Sequence, residues 1–350
     1  MKEVDFLIIG QGIAGTLLAW FLEKEGKAVA VADAFSPHAA SQVAAGIINP
    51  ITGRRYVKSW RVDELIPSAV QAYAELSEVF GKPFFHELPI IRTLFNRGEE
   101  NDWLSRTGDP AYAPYMKEQA RLGEYALHTV LAYSYGEVLK GGQADLPGLT
   151  GAYREKLRAE GRLIEGDVRY DALEVGTAGV AYEGWRAGQV VFAEGHRGAS
   201  NPFFNYLPYG GAKGEVLIVR IPGVQFSKIL KHRVFIVPLP VPETYWVGAT
   251  YGWKFEDEKP TASGGAFLRQ RLEEVLSHPF EVLSHKAAVR PTVKDRRPFL
   301  GRHPEISRFA LFNGLGTKGA SLGPFWAHHL AQHLCYGAPL DPEVDISRFG

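Results

Sequence analysis

Six residues near the start of the chain, Gly10-Gln11-Gly12-Ile13-Ala14-Gly15, and one acid, Asp33, have the types and spacing that hold a dinucleotide. A pyrophosphate is gripped by backbone amides at close range, and a side chain at the turn would keep it away. Gly10 permits the tight turn, Gly12 lets the phosphates approach, and Gly15 lets the next helix pack on the strand. The first amides of that helix, at Ile13 and Ala14, add partial positive charge. Asp33 and the adjoining Ala34, about 20 residues on, stand where the adenosine ribose hydroxyls are met. The motif alone does not separate FAD from NAD.

These residues need a strand, a helix and a second strand to position them, and the flanking sequence supplies all three. Val4 to Ile9 is a short, nearly continuous apolar run, the pattern of a parallel strand covered on both faces. Ala14 to Glu25 is predicted helical, with Leu17, Leu18, Phe21 and Leu22 on one side and Gly26 as its stop. Ala28 to Ala32 forms the second strand, joined to the first by a right-handed crossover. Further helices are predicted over 63–80, 149–160 and 267–276. A β-rich block is predicted at 214–221, 233–238 and 244–250. Near the end come a strand at 309–312, a second glycine loop over 314–319, and a helix running through Trp326 to Leu334.

The α/β signal lies at both ends and in the middle, with the β signal between. The fold class expected is α/β, a Rossmann-like dinucleotide-binding domain interleaved with an antiparallel β-rich (α+β) substrate domain. The first would take residues 1–75, 143–205 and 286–350, and the second 76–142 and 206–285.

Acidic and basic side chains balance at 39 each, so no net field draws the protein to nucleic acid, and no such partner is expected. The single cysteine, Cys335, excludes an internal disulfide, an iron–sulfur cluster and a cysteine-rich zinc site. Of the pair His328-His329 and His333, the i and i+4 positions 329 and 333 share a helix face, but no carboxylate or cysteine joins them in zinc spacing, so no metal is expected. The longest apolar stretch, 13–22, is too short to span a bilayer, and no leader precedes the first strand; a cytoplasmic protein is expected.

Four further segments extend the pattern: small residues through Ser41, Ala44, Ala45 and Gly46; Gly141-Gly142 with Asp145 before the mid-chain helix; Glu194-Gly195 at a strand end; and Val289-Arg290-Pro291-Thr292 followed by the second glycine loop. In this order they resemble the D-amino-acid oxidase superfamily of flavoproteins, especially its glycine-oxidase and sarcosine-oxidase branch, over nearly the whole chain. The resemblance implies non-covalently bound FAD, with Ser41, Ala44, Ala45, Gly46 and Gly195 beside it. It also implies that Gly314, Gly316, Thr317, Lys318 and Gly319 wrap the flavin pyrimidine. Arg290 matches an arginine that often binds a substrate carboxylate, and a planar guanidinium suits that task because it offers two parallel hydrogen bonds. The glutamate at 194 departs from the small residue common there.

The reaction implied is hydride removal from the carbon bearing an amine, with oxygen or a quinone as final acceptor and no general base required. The substrate expected is a small amine or amino acid. Relatives in the glycine-oxidase branch often carry a tyrosine where this chain has Phe235, which has no hydroxyl to offer a carboxylate. Tyr251, and Arg54 with its neighbour Arg55, are candidate replacements. Three other readings remain at this stage: a flavoenzyme acting on an aminomethyl-type tRNA modification, an electron-transfer flavoprotein, and an NAD enzyme, against which the second glycine loop argues.

Overall fold

Phe6, Leu7, Ile8 and Ile9 are all buried because the strand they belong to, Lys2–Ile9, lies inside a sheet covered on both faces. A computed structural model describes Met1–Phe349. It divides the chain into two units, each drawn from separated segments: Met1–Ala44, Leu146–Ala212 and Val289–Gly350 in the first, Ala45–Asp145 and Lys213–Ala288 in the second. The interleaving expected from the sequence is therefore present. The first boundary falls at Ala44, so residues 45–75, expected in the dinucleotide-binding part, belong to the β-rich unit.

In the first unit five strands run parallel in the order Leu163–Glu165, Val29–Asp33, Lys2–Ile9, Trp185–Phe192 and Phe309–Asn313, and Phe299–Arg302 closes that edge antiparallel. Trp185–Phe192 pairs with Lys2–Ile9 along its length on one edge and is shared between two partners on the other. Its start pairs with Gly179–Tyr182 and its end with Phe309–Asn313. Alternate residues Leu7, Ile9, Ala30, Ala32, Val190, Phe192 and Leu311 build one core with Phe204, Phe299 and Ile346. The helix Ile13–Lys24 is apolar almost all round, with every residue from Ile13 to Leu22 buried, so it is an internal helix and not a surface one.

The second unit is built on a sheet of eight strands in the order Glu281–Arg290, Ala212–Arg220, Thr244–Gly248, Phe235–Pro238, Ile229–Lys231, Ile90–Leu94, Ser134–Val138 and Met116–Lys117. One neighbouring pair in it, Ile229–Lys231 with Ile90–Leu94, is parallel. The helices Val62–Phe80, Arg97–Thr107 and Ala262–Glu273 belong to the same unit. Arg97–Thr107 was not expected from the sequence, because its apolar pattern is weak and Trp103 is its one buried residue. Among the described residues no helix is long and apolar enough to cross a membrane.

Candidate functional site

The first glycine turn is built as the sequence requires. Gly10 has φ +101°, and a Cβ there would lie 2.5 Å from the carbonyl oxygen of Ala193 on the neighbouring strand's end. A Cβ on Gly15 would lie 1.9 Å from the carbonyl oxygen of Gly10, so strand and helix meet backbone to backbone. The helix that follows has no side-chain cap of its own. Instead Ser41, in the short helix Ala40–Val43, accepts a hydrogen bond from the Ile13 amide at 2.9 Å. For the amides of Gly12, Ala14 and Gly15 there is no acceptor among the described residues.

Asp33 sits at the end of the second strand and is held from three directions. Its Oδ1 accepts from the Gln11 amide at 2.9 Å, and its Oδ2 from the Phe35 amide and from Nη1 of Arg154, both at 2.8 Å. Arg154 is 7% exposed and also reaches Oε2 of Glu165 and Oε1 of Gln11. Gln11 in turn donates to Thr16 and to the carbonyl of Thr150. Arg158 and then Arg154 hold the Glu165 carboxyl down at about 2. One lone-pair site of Oδ1 stays open, enough for a single ribose hydroxyl. Sequence reading missed Arg154. Its signal was a charged residue on the stripe Leu149, Tyr153, Leu157 that the Leu146–Ala159 helix buries.

The second glycine loop reaches the first through helix packing. A Cβ on Gly319, at the start of the Gly319–Tyr336 helix, would lie 3.3 Å from Cγ2 of Ile13, and one on Gly323 would lie 2.7 Å from Cδ1 of Leu17. The two helices therefore touch near their N-termini, and both turns stand at one end of the unit. Asn313, buried and unremarked in the sequence, ties the parts together: its Nδ2 donates to the carbonyl of Gly195 and its Oδ1 accepts from the Gly314 amide. Gly316 donates to the carbonyl of Pro291, and Lys318 caps the helix with its carbonyl, accepting from Ser321 and Leu322. Thr317 is exposed. Burial, then Arg296 and Arg297, push the Lys318 ammonium below its ordinary value.

These residues fit a dinucleotide with a polar ring system. Besides the open amides, the buried hydroxyls of Thr292 and Tyr209 have no hydrogen-bond partner among the described residues, and Thr292 lies against Gly316. Buried hydroxyls left without partners are rare enough to require an explanation, and a bound polar molecule supplies one. Glu194 is not part of this orphan set. It accepts from the Tyr170 hydroxyl at 2.5 Å and from Asn201 at 2.6 Å, and burial raises its carboxyl above the usual range. The departure at 194 is thus absorbed by a protein network.

Of the substrate candidates, Arg290 ends the strand Glu281–Arg290 and lies in the first unit, two residues before Thr292. Tyr251 and Arg54 lie in the second. Tyr251 is exposed and stacks edge-on with Trp253, and Arg54 is exposed on the turn between Ile51–Thr52 and Val57–Lys58. Ala34 follows Asp33 and is half-buried, and Ala44 closes the first unit's first segment. Ala45 and Gly46 belong to the second unit, where Gly46 is pressed against the backbone of Ala144, 1.8 Å from where a Cβ would stand. His329 accepts from the Asp341 amide and His333 bonds the carbonyl of Ala338, so both rings serve the end of their helix.

A parallel sheet whose strand ends carry two amide-lined helix turns, one of them with an acid at the next strand's end, defines a Rossmann-type dinucleotide-binding protein. The chain belongs to the FAD dependent oxidoreductase family, DAO, which it matches over residues 5–333. It is accordingly an FAD-dependent oxidoreductase. A stretch of 145 residues, 39% of this chain and 38% of the relative, is 32% identical to glycine oxidase of Bacillus subtilis (strain 168). Glycine oxidase of Bacillus licheniformis is 24% identical over 98% of this chain and 95% of its own. Among solved structures, glycine oxidase from Geobacillus kaustophilus superposes with a TM-score of 0.83 at 21% identity, covering 100% of this chain and 98% of that one.

Proposed function

We propose that this protein oxidises a C–N bond of a small amine or amino acid, using non-covalently bound FAD. The observation that carries the reading is the meeting of two glycine-rich turns at helix starts in one unit, the Gly12, Ala14 and Gly15 amides of the first lacking acceptors among the described residues. Similarity to proteins named as glycine oxidases supports the substrate class. When bound, FAD accepts the hydride from the carbon that bears the amine.

The chain's own residues have separable tasks. The Gly12, Ala14 and Gly15 amides hold the pyrophosphate, with Gly10 shaping the turn and Ser41 keeping the Ile13 amide in place. Asp33 takes a ribose hydroxyl. The loop Gly314–Gly319 and the helix start behind it present partial positive charge and Lys318 to the edge of the ring that gains negative charge on reduction. Arg290 grips a substrate carboxylate. Hydrolysis of the imine product completes the turnover. The single cysteine suits a cytoplasmic location.

The test is spectroscopic. Purified protein is expected to be yellow, and its flavin absorbance to bleach on anaerobic addition of an amine from a panel of amino acids and N-alkyl glycines. Recovery of colour in air assigns oxygen as acceptor, and recovery only with a quinone assigns a dehydrogenase. Protein that contains no flavin, or flavin that no amine bleaches, overturns the proposal.

A further inference from the structure

Across the parallel pair Ile90–Leu94 and Ile229–Lys231 in the β-rich unit, Arg92 stands directly opposite Lys231. Paired residues on neighbouring strands project from one face, and two like charges placed so repel each other. Neither cation forms an ion pair among the described residues. Nε of Arg92 is buried with no hydrogen-bond partner. Their close neighbours are aromatic faces: Nζ of Lys231 lies 4.3 Å from the ring centroid of Phe235, and Cζ of Arg92 lies 5.4 Å from that of Tyr56. Two acids on the Arg97–Thr107 helix, Glu99 and Asp102, act electrostatically on Tyr56 but bridge to neither cation. Burial first, and Arg92 second, push the Lys231 ammonium down to about 8.

The two cations border a cleft of about 240 Å³, part of it open to solvent, lined also by Asn49, Gly53, Tyr56 and Trp103. Most of that space is open solvent and the enclosed part has room for little more than a water-sized group, so it suits the charged tip of a molecule and not a whole ligand. Asn49 adds a donor. Its Oδ1 accepts from the Ile51 amide, and its Nδ2 has no acceptor among the described residues. The Tyr56 hydroxyl is a neutral partner of Arg92, and no carboxylate lines the cleft to balance the two half-buried cations.

We propose that the Arg92–Lys231 cleft is a binding site for an oxyanion group, a carboxylate or phosphate carried by a small molecule. The anion would sit between the guanidinium and the ammonium, take hydrogen bonds from both and from Asn49, and cancel the repulsion across the strand pair. Phe235 then has a role without a hydroxyl. Its ring supports the ammonium from the strand on the other side, since Lys231 and Phe235 are also register partners.

The site concerns the β-rich unit alone and stands whether or not amine oxidation is the reaction. Calorimetric titration of the flavin-loaded protein with inorganic phosphate and with succinate is expected to show saturable binding of at least one. Lys231→Met and Arg92→Gln are each expected to weaken that binding about tenfold or more, and Lys231→Arg to retain it. Melting temperature without anion checks folding, and Lys231→Met is expected to melt no lower than the parent because it removes the repulsion. Among amines that bleach the flavin, a Michaelis constant raised in both variants for those with a second acidic group alone would assign the anion to the substrate. Phosphate or succinate binding with no such split would assign it to a separate ligand. Anion binding that is absent, or equal in the parent and both charge-removing variants, overturns the proposal; failure of every amine to bleach the flavin touches only the reaction.

Discussion

Two arginines, Arg154 buried and Arg92 half-buried, divide the molecule by what surrounds them. Arg154 in the dinucleotide-binding unit is surrounded by acceptors, Asp33, Glu165 and Gln11, and each of its bonds fixes a part of the first glycine turn. Arg92 in the β-rich unit faces Lys231 and aromatic rings, with Nε unmatched. A buried charge whose partners all come from the protein does structural work, because the fold itself cancels the cost of desolvation. A buried charge left without them marks a place where something else completes the set. The same division separates Glu194, satisfied by Tyr170 and Asn201, from the unpartnered hydroxyls of Tyr209 and Thr292.

The contrast breaks if the two arginines respond alike to loss of charge. Arg154→Met leaves Asp33 without its cation, and breaking such a buried pair costs about 3–5 kcal/mol; denaturant unfolding should show that loss, with weakened FAD retention. Lys231→Met is expected to act with the opposite sign in anion-free buffer. Because the folded-state ammonium titrates near pH 8 and an exposed lysine near 10.5, the penalty is complete below pH 8 and fades as pH rises from there towards 10.5. The variant should therefore be more stable than the parent by about 3 kcal/mol at most at neutral pH, with the gain shrinking above pH 8. Equal melting of variant and parent from pH 6 to 10 would show that the ammonium is well solvated.

Two smaller effects sharpen the same comparison. Tyr170→Phe takes a hydrogen bond from a buried carboxylate and is expected to cost about 2 kcal/mol, whereas Tyr209→Phe removes a hydroxyl with no protein partner and should leave the flavin-free protein unchanged within roughly 0.5 kcal/mol. Thermal unfolding of the two apoproteins side by side reads the difference, and equal losses would show that Tyr209 has a partner after all. Ser41→Ala removes the acceptor of the Ile13 amide and should cost about 1 kcal/mol, the usual worth of a helix cap, measured by chemical denaturation.

What could be read in the sequence follows from how local each feature is. The strand, turn, helix and acid from Val4 to Asp33 lie within one crossover, and their order leaves little freedom, so the element types and the close backbone approaches at Gly10 and Gly15 were legible. The second loop was legible as a loop, but its adjacency to the first rests on Gly323 against Leu17, a contact between distant segments that no local pattern announces. Arg154, Asn313 and the Arg92–Lys231 pair were missed for the same reason: each owes its meaning to strand register or helix facing across long stretches of chain. The first domain boundary was placed too late because small residues run through Ala44, Ala45 and Gly46 without a compositional break.

The order of strands in the first unit also bears on how the protein comes into being. Trp185–Phe192 must wait for Phe309–Asn313, and the helix against Leu17 belongs to the last fifth of the chain. During synthesis the opening crossover leaves the ribosome long before the segments that seal its edge. Capture of the flavin is therefore a late event in biogenesis, and a nascent chain halted before Phe309 would expose an unsealed parallel sheet edge, the kind of surface on which chaperones act.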